Sequence, residues 1–484
     1  MNPGWTSNTA LEIKDDSLYI GGAAAKELVE KYDTPLFVFS EKRIKDNIRH
    51  LMNIEDVIDC KLKICYASKA NSNLGVLGVV KDAGSSIEVN SGGELFIALK
   101  VGFDPEQIIF NGTSKTEKEI AEAINAGIYA IQADSFYEIE LIEEVARELE
   151  KKANVSLRLV PDIETETLHG LQTALLISKF GMMPEETRQA FRRWKADDEH
   201  INLCGIHLHI GSQNPKSQPY VAALETLFSN LVKIYEETGQ KLSHLNLGGG
   251  FPVNYLRDDT NIADINNDRK ELFSADLKPA EVIREAWETV KKIADEADAS
   301  HLLENFELLI EPGRSIISDA GVCLTKVRNK KQRPIGAAVD PDSKSDPAQK
   351  LTDEWLLTDA GFNLLLSMET YKWYYHLISA DRPAALHQTP YKVAGPLCDG
   401  GDVYFDIEGE NRLPNYRLLP ENIEVGEVLA LLNSGAYTIA QMFQYNGREL
   451  PACVLVTEDG GHQLVRKRDT YKDLITNQIE KKAV

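Results

Sequence analysis

The middle of the chain predicts a closed parallel barrel of eight β/α units, and three observations lead there. Short apolar strand candidates alternate with amphipathic helices, none of the strands carries the marks of an exposed sheet edge, and polar or glycine-rich residues fall at the strand ends. Chemistry in such a barrel sits at the C-terminal ends of its strands. The strand candidates are 62–67, 86–90, 107–110, 128–133, 155–160, 203–209, 243–248 and 307–311. Helices are expected at 93–101, 115–126, 136–152, 184–196, 220–238 and 277–297, where apolar residues recur three and four apart. Taken in order, Lys69 follows the first strand, Glu88 and Asn90 close the second, and Asn111 follows the third. His209 and Ser212 come at the end of the sixth, Gly248-Gly249-Gly250 after the seventh, and Glu311 with Arg314 after the eighth. Turn formation explains Asn90 and Asn111 as well as chemistry does, but it does not explain Lys69, Glu311 and Arg314 together.

Composition narrows the classes. The 484 residues are 43% hydrophobic and 26% charged, which is globular, with length enough for two to four domains. Lys and Arg number 53 against 75 Asp and Glu, and the net charge of -22 disfavours nucleic acid and anionic membrane surfaces as partners. The opening Met1-Asn2-Pro3-Gly4 is polar, and neither a signal peptide nor an apolar run of membrane-spanning length is present, so a cytoplasmic protein is expected. The six cysteines show no zinc-type or disulfide-dense spacing, which makes reduced thiols the default and leaves any one of them available for catalysis.

The run Tyr66-Ala67-Ser68-Lys69-Ala70-Asn71-Ser72-Asn73 presents a lysine that no helix stripe or charged face explains. Burial would lower its pKa, and a neutral amine forms a Schiff base with an aldehyde cofactor such as pyridoxal phosphate. Glycine clusters serve as turns, but Gly248-Gly249-Gly250 lies where barrels of this kind bind phosphate, and its backbone N–H groups suit a cofactor phosphate. His207 and His209, two apart on one strand candidate, would face the same side as half of a metal site, yet no third ligand is evident and no metal is expected. An imidazole over a planar cofactor ring is the better reading of His209, with His207 a hydrogen-bonded histidine of the barrel interior.

Further motifs complete a pattern. They are Ser178-Lys179-Phe180-Gly181, Gly205 to Gln213, Leu247 to Pro252, Glu311-Pro312-Gly313-Arg314, Asp359-Ala360-Gly361-Phe362-Asn363, Gly395 to Asp402 and Gly435-Ala436-Tyr437. In this order and spacing the chain resembles the fold type III decarboxylases that use pyridoxal 5'-phosphate. The diaminopimelate decarboxylases are the most similar branch, in a group that also covers ornithine, D-ornithine and D-lysine decarboxylases. The resemblance implies a barrel at 41–316 and a second, mostly antiparallel β domain formed by 1–40 and 317–484. Strand-like runs at 36–39, 321–327, 355–359, 390–394, 428–432 and 452–456 fit that domain. The polar segments 257–269 and 329–353 are expected to be loop insertions.

What the resemblance implies about residues is specific. Lys69 would hold the cofactor covalently, Glu88 would lie beside it, and His209 would stack on its ring. Ser212, Gly248, Gly249, Gly250, Arg314 and Tyr437 would hold its phosphate, and Glu311 would keep its pyridine nitrogen protonated. Alanine racemases share the fold but place an arginine at that point. Cys398, carried by the β domain into the site of a partner subunit, would donate a proton to the carbanion left by carbon dioxide. A homodimer with shared active sites is therefore implied.

Arg314, Ser367, Tyr371, Asp399 and Tyr437 are the expected contacts to a small diamino acid substrate, with Tyr374 beside Tyr371. Here the match weakens. An arginine that grips a distal carboxylate in the diaminopimelate branch is replaced by Ser367-Met368, and Asp399 stands where that branch has glutamate. Asp399, with Glu369, would receive a terminal ammonium. Three readings stay open: conversion of meso-diaminopimelate to L-lysine in lysine biosynthesis, decarboxylation of D-lysine or D-ornithine to cadaverine or putrescine, and a non-catalytic cofactor-binding or regulatory homologue.

Overall fold

The structure is a computed structural model that describes residues 4–160, 163, 165, 167–168, 171–173, 178–256, 265–335 and 352–480. It divides into two units: Ile44–Val253 with Ala275–Ile317, and Met1–Arg43 with Asn254–Ser274 and Ser318–Val484.

The first unit is the barrel. Its strands are β1 (Lys61–Ala67), β2 (Ser86–Val89), β3 (Ile108–Phe110), β4 (Ala130–Ala133), β5 (Ala153–Arg158), β6 (Ile201–His207), β7 (His244–Asn246) and β8 (Glu307–Ile310). Each pairs in parallel with its sequence neighbour, and β8 closes on β1 from Glu307↔Lys61 to Ile310↔Ile64. All eight stand where the apolar periodicity predicts them. The fifth, sixth and seventh end two residues early, because Leu159 makes only an isolated bridge to Met182 and the chain leaves the ladder after His207 and Asn246.

Local sequence starts and stops the surrounding helices. Asn73 accepts N–H groups of Gly75 and Val76 to open Leu74–Asp82, a helix outside the predicted set. Thr116 and Glu119 form a reciprocal cap on Glu117–Ala126, and Gly127 at φ +71° ends it. Cys65, Ile109 and Leu309 are fully buried inside the barrel with Tyr129 against them. At the N-terminal end of the strands Tyr129 donates to Glu307 at 2.9 Å, and buried His244 lies over Gly205, where a Cβ would be 2.2 Å from its Nε2. Side chains thus fill that end, leaving the loops after the strands to carry polar chemistry.

The second unit is built on a nine-stranded sheet. Leu36–Ser40 lies between Gly321–Pro334, antiparallel, and Ala452–Val456, parallel. Among the described residues six of its eight strand pairings are antiparallel, as expected, and two are parallel, the second joining Thr352–Thr358 to Thr389–Ala394. Leu36, Val38, Val322, Leu324, Ala430 and Val454 form its core with Trp5, Leu18 and Leu28. The last three come from a small N-terminal layer that includes the antiparallel strands Leu11–Lys14 and Ser17–Ile20, which the sequence pattern did not reveal.

Two expectations are corrected. Asn254–Ser274 belongs to the β unit rather than the barrel range 41–316: Asn433 donates to the Asn254 carbonyl at 2.8 Å, Arg269 to the Tyr371 carbonyl at 2.7 Å, and the Tyr255 and Trp373 rings lie 5.2 Å apart. Residues 329–334 are strand, not insertion, because cross-strand pairs from Asn329↔Leu357 to Pro334↔Thr352 extend the ladder. Residues 267–269 open the helix Asn267–Ser274 and 352–353 are strand, so they too are not loop, while 257–264 and 336–351 lie outside the described residues. No helix among the described residues is long and apolar enough to cross a membrane.

Candidate active site

The C-terminal ends of the barrel strands gather a lysine, two carboxylates and two asparagines. Lys69 sits on the short turn Ser68–Ala70 directly after β1, with its amine 3.4 Å from Glu88 Oε1. Its side chain is 38% exposed, so the expected burial of this amine is not observed: the turn carries it out of the strand and toward the barrel mouth. Glu88, on β2, is fully buried. Asn111, just past β3, donates from Nδ2 to Glu88 Oε1 at 2.8 Å and to Glu311 Oε1 at 3.0 Å. Asn246, the last residue of β7, donates to the same Glu311 oxygen at 2.8 Å and accepts the Gly248 N–H at 2.9 Å.

These contacts divide the protons. Burial pushes the Glu88 carboxyl up to about 7, opposed by the Lys69 ammonium and reinforced by the charge of Glu311. Burial also opposes the Glu311 charge, but His207, then Lys69 and His209, outweigh it and hold that carboxyl well below the usual range. Of the two carboxylates, Glu311 stays ionised and Glu88 takes up a proton first.

The two histidines take different roles. His207 is interior, 1% exposed, with Nε2 3.6 Å from Glu311 Oε2. That separation is too long for a hydrogen bond and neither ring nitrogen makes one elsewhere, so His207 is interior as expected but its contact with Glu311 is electrostatic rather than the expected hydrogen bond. His209 stands two residues beyond the end of β6 rather than on the strand. The Gly249 N–H donates to its Nδ1 at 3.1 Å, which leaves the proton on Nε2, and burial lowers its pKa. Among the described residues no group of three or more His, Cys, Asp or Glu is placed to hold a metal ion.

The glycine run is compelled by close approach. A Cβ at Gly248 would lie 2.6 Å from the Leu208 carbonyl oxygen, at Gly249 2.3 Å from that of Glu311, and at Gly250 2.5 Å from that of Gly211. Gly248 and Gly250 also have φ of +69° and +99°. Beside this bare backbone Arg314, largely buried, donates from Nε to Ser212 Oγ at 3.3 Å. A primary amine, a buried carboxylate and a cradle of glycine, serine and arginine donors are the set that an aldehyde cofactor with a ring nitrogen and a phosphate requires.

The β unit carries the remaining expected residues. Of the six free cysteines, Cys398 alone is exposed. Asp399 accepts the Gly401 N–H at 2.9 Å and the Tyr445 hydroxyl at 3.4 Å. Ser367 is buried in the helix Leu366–Thr370, and Tyr371 directly follows that helix. Tyr437 follows Gly435, whose backbone packs so closely on Gly321 that a Cβ there would meet its Cα at 2.4 Å. Tyr374 is corrected to a core residue: it is fully buried, its hydroxyl on His376 Nδ1 at 2.8 Å and its ring 4.6 Å from the Arg417 guanidinium. Glu369 is paired through Oε2 with Lys372 at 2.8 Å.

Known proteins supply the deciding comparison. The pattern of the pyridoxal binding domain of pyridoxal-dependent decarboxylases matches residues 44–318. The diaminopimelate decarboxylase of Methanocaldococcus jannaschii is 33% identical over 478 residues, covering 98% of this chain and 97% of that one. The Bacillus subtilis enzyme of the same name is 32% identical over 470 residues, 96% of each. The chain belongs to the pyridoxal-dependent decarboxylase family. A crystal structure of the M. jannaschii enzyme superposes with a TM-score of 0.82 at 31% identity, covering 98% of this chain and 99% of that one, and one in complex with L-lysine gives 0.81.

Lys69, Glu88, His209, Ser212, Gly248, Gly249, Gly250, Glu311 and Arg314 all fall within the stretch matched by the family's pyridoxal binding domain. The barrel brings them together as a set. Sequence reasoning gave no role to Asn246, left Asn111 open, and missed Arg158. That arginine ends β5 with its guanidinium 4.1 Å from the Phe180 ring and 4.0 Å from Asp134, which also accepts the Gly181 N–H. Position at a strand end was the available signal for all three.

Proposed function

We propose that this chain is a pyridoxal-phosphate-dependent carboxy-lyase that converts meso-diaminopimelate to L-lysine and carbon dioxide, the lysine-forming step of lysine biosynthesis. The observation that carries the reading is Glu311, a buried carboxylate whose Oε1 accepts N–H groups from Asn111 and Asn246 at the barrel mouth that also holds the Lys69 amine. The similarity to diaminopimelate decarboxylases along almost the whole chain supports the substrate.

When bound, the cofactor supplies an electron-accepting ring that takes up the electron pair released with carbon dioxide. Lys69 would hold the cofactor through its amine. Glu311 would keep a proton on the ring nitrogen, and Asn111 and Asn246, both donating to its Oε1, hold the carboxylate in one orientation. His209, its ring set by Gly249, covers one face. Ser212, the Gly248–Gly250 backbone, Arg314 and Tyr437 hold the phosphate, and Arg314, Tyr371, Asp399, Ser367 and Tyr437 border the substrate. Cys398 delivers a proton to the carbon that lost its carboxylate, and it does so across a two-fold homodimer. A cytoplasmic place is supported by six cysteines that are all free.

A second reading rests on Ser367-Met368, which supplies no guanidinium for a distal carboxylate. It replaces the substrate with D-lysine or D-ornithine and leaves the chemistry unchanged. Carbon dioxide release from purified protein with meso-diaminopimelate, D- and L-lysine, and D- and L-ornithine separates the two. Strong preference for meso-diaminopimelate supports the main reading; preference for a diamino acid with one carboxylate overturns it. Release from none of them overturns both and favours a non-catalytic homologue.

A further inference from the structure

Cys398 stands in a loop whose position depends on a few polar ties. Its own backbone N–H donates to Asn446 Oδ1 at 2.7 Å. On one side of it, the Pro396 carbonyl accepts from Arg448 at 2.8 Å and the Leu397 N–H donates to Asp402 Oδ2 at 2.8 Å. On the other, Asp399 accepts from the Tyr445 hydroxyl at 3.4 Å. Three of these four ties come from the short segment 445–448. Leu397 is buried, and an open pocket of about 520 Å³ is lined in part by Gly395, Pro396 and Leu397. Asn446 itself is at φ 54° and ψ 22°, a left-handed conformation that asparagine tolerates and most residues do not. The turn Tyr445–Gly447 thereby aims its carboxamide at the loop while the Tyr445 ring stacks on Phe362, 6.1 Å away.

We propose that Asn446 is a positioning residue: its carboxamide oxygen, by holding the Cys398 N–H, sets where the thiol is presented for proton delivery. This rests on the reading of Cys398 as the proton donor. Asp402 secures the base of the same loop, its other oxygen accepting the Phe362 N–H at 2.9 Å. Only Asn446 touches the cysteine's own backbone among these ties. Removing that one acceptor frees the residue that carries the thiol while the flanking ties remain.

The test uses the full chain with cofactor and the variants Asn446→Gly, Asn446→Asp and Cys398→Ala. Glycine accepts the left-handed backbone but has no oxygen to offer, whereas aspartate keeps both. Asn446→Gly should lower kcat by about tenfold to a hundredfold with KM nearly constant, the scale expected when a reacting group is misplaced by about 1 Å. Iodoacetamide labelling of Cys398, followed by mass spectrometry from pH 6 to 9 without substrate, should change in rate and profile in the same variant. Asn446→Asp should restore most of both. If Asn446→Gly does not fold, Asn446→Ser, whose side chain is too short to reach, is scored in the same way. Unchanged kcat and unchanged labelling in the variant lacking the acceptor overturn the proposal, as does failure of Asn446→Asp to restore either one. If Cys398→Ala turns over normally, the cysteine reading itself falls; if it collapses while Asn446→Gly is silent, only the present inference does.

Discussion

Replacing Glu311 by glutamine isolates the charge of one carboxylate in an otherwise conserved shape. In the native protein Oε1 receives two amide N–H groups, from Asn246 at 2.8 Å and Asn111 at 3.0 Å, and Oε2 is 3.6 Å from His207. A glutamine oxygen still satisfies both asparagines, so its NH2 must take the place of Oε2. An NH2 group donates and cannot accept, and a protonated ring nitrogen facing it loses one charge-assisted hydrogen bond, about 1.5–3 kcal/mol. Because a tenfold change in rate corresponds to about 1.4 kcal/mol, kcat should fall by roughly 10- to 150-fold. The fall should appear in carbon dioxide release under saturating substrate, with cofactor occupancy checked by absorbance. A second consequence is local. Without the Glu311 charge the Glu88 carboxyl should titrate lower, because that nearby negative charge adds to burial in pushing it up to about 7. A Glu311→Gln enzyme with kcat within twofold of the native value refutes the role assigned to the carboxylate.

Lys69 is tested by borohydride reduction and peptide mapping of the protein loaded with cofactor: the label should sit on Lys69 and vanish in Lys69→Ala, and a label on another side chain would displace the assignment. Stability should respond to pH through Glu88. Its folded value of about 7 exceeds the unfolded carboxyl's ~4.3, so the folded state holds a proton the unfolded state has lost, and this contribution fades as pH rises from about 4 to 7. In urea melts, native protein should therefore lose stability relative to Glu88→Gln across that window, and parallel curves would contradict the burial argument. Ser367→Arg should lower KM for meso-diaminopimelate relative to D-lysine if Ser367 borders the distal end of the substrate, by about tenfold for one bidentate contact. Equal effects on both substrates would place Ser367 elsewhere.

Much of the barrel was legible because its determinants are local. Apolar alternation placed all eight strands, and residues such as Thr116, Glu119 and Gly127 mark a helix start and stop through atoms only a few positions apart. Strand ends were then the places to look for chemistry, and Lys69, Glu88, Glu311 and the glycine run do meet there. Sequence failed where contacts span long stretches of chain. The pairing of His207 with Glu311 without a hydrogen bond, the exposure of Lys69, and the capture of Glu369 by Lys372 depend on side-chain placement that no periodicity encodes.

By itself, then, the sequence determined the eightfold alternation, the motif residues that the strand ends present, and the family to which they point, since each follows from propensity and pattern over short windows. Only the tertiary structure decided that Asn111 and Asn246 converge on one oxygen of Glu311, that 254–274 joins the β unit, and that Asn446 grips the backbone of Cys398. The physical reason is register. Residues 111 and 311 are 200 positions apart, and their side chains meet only because a closed sheet fixes which strand ends are neighbours.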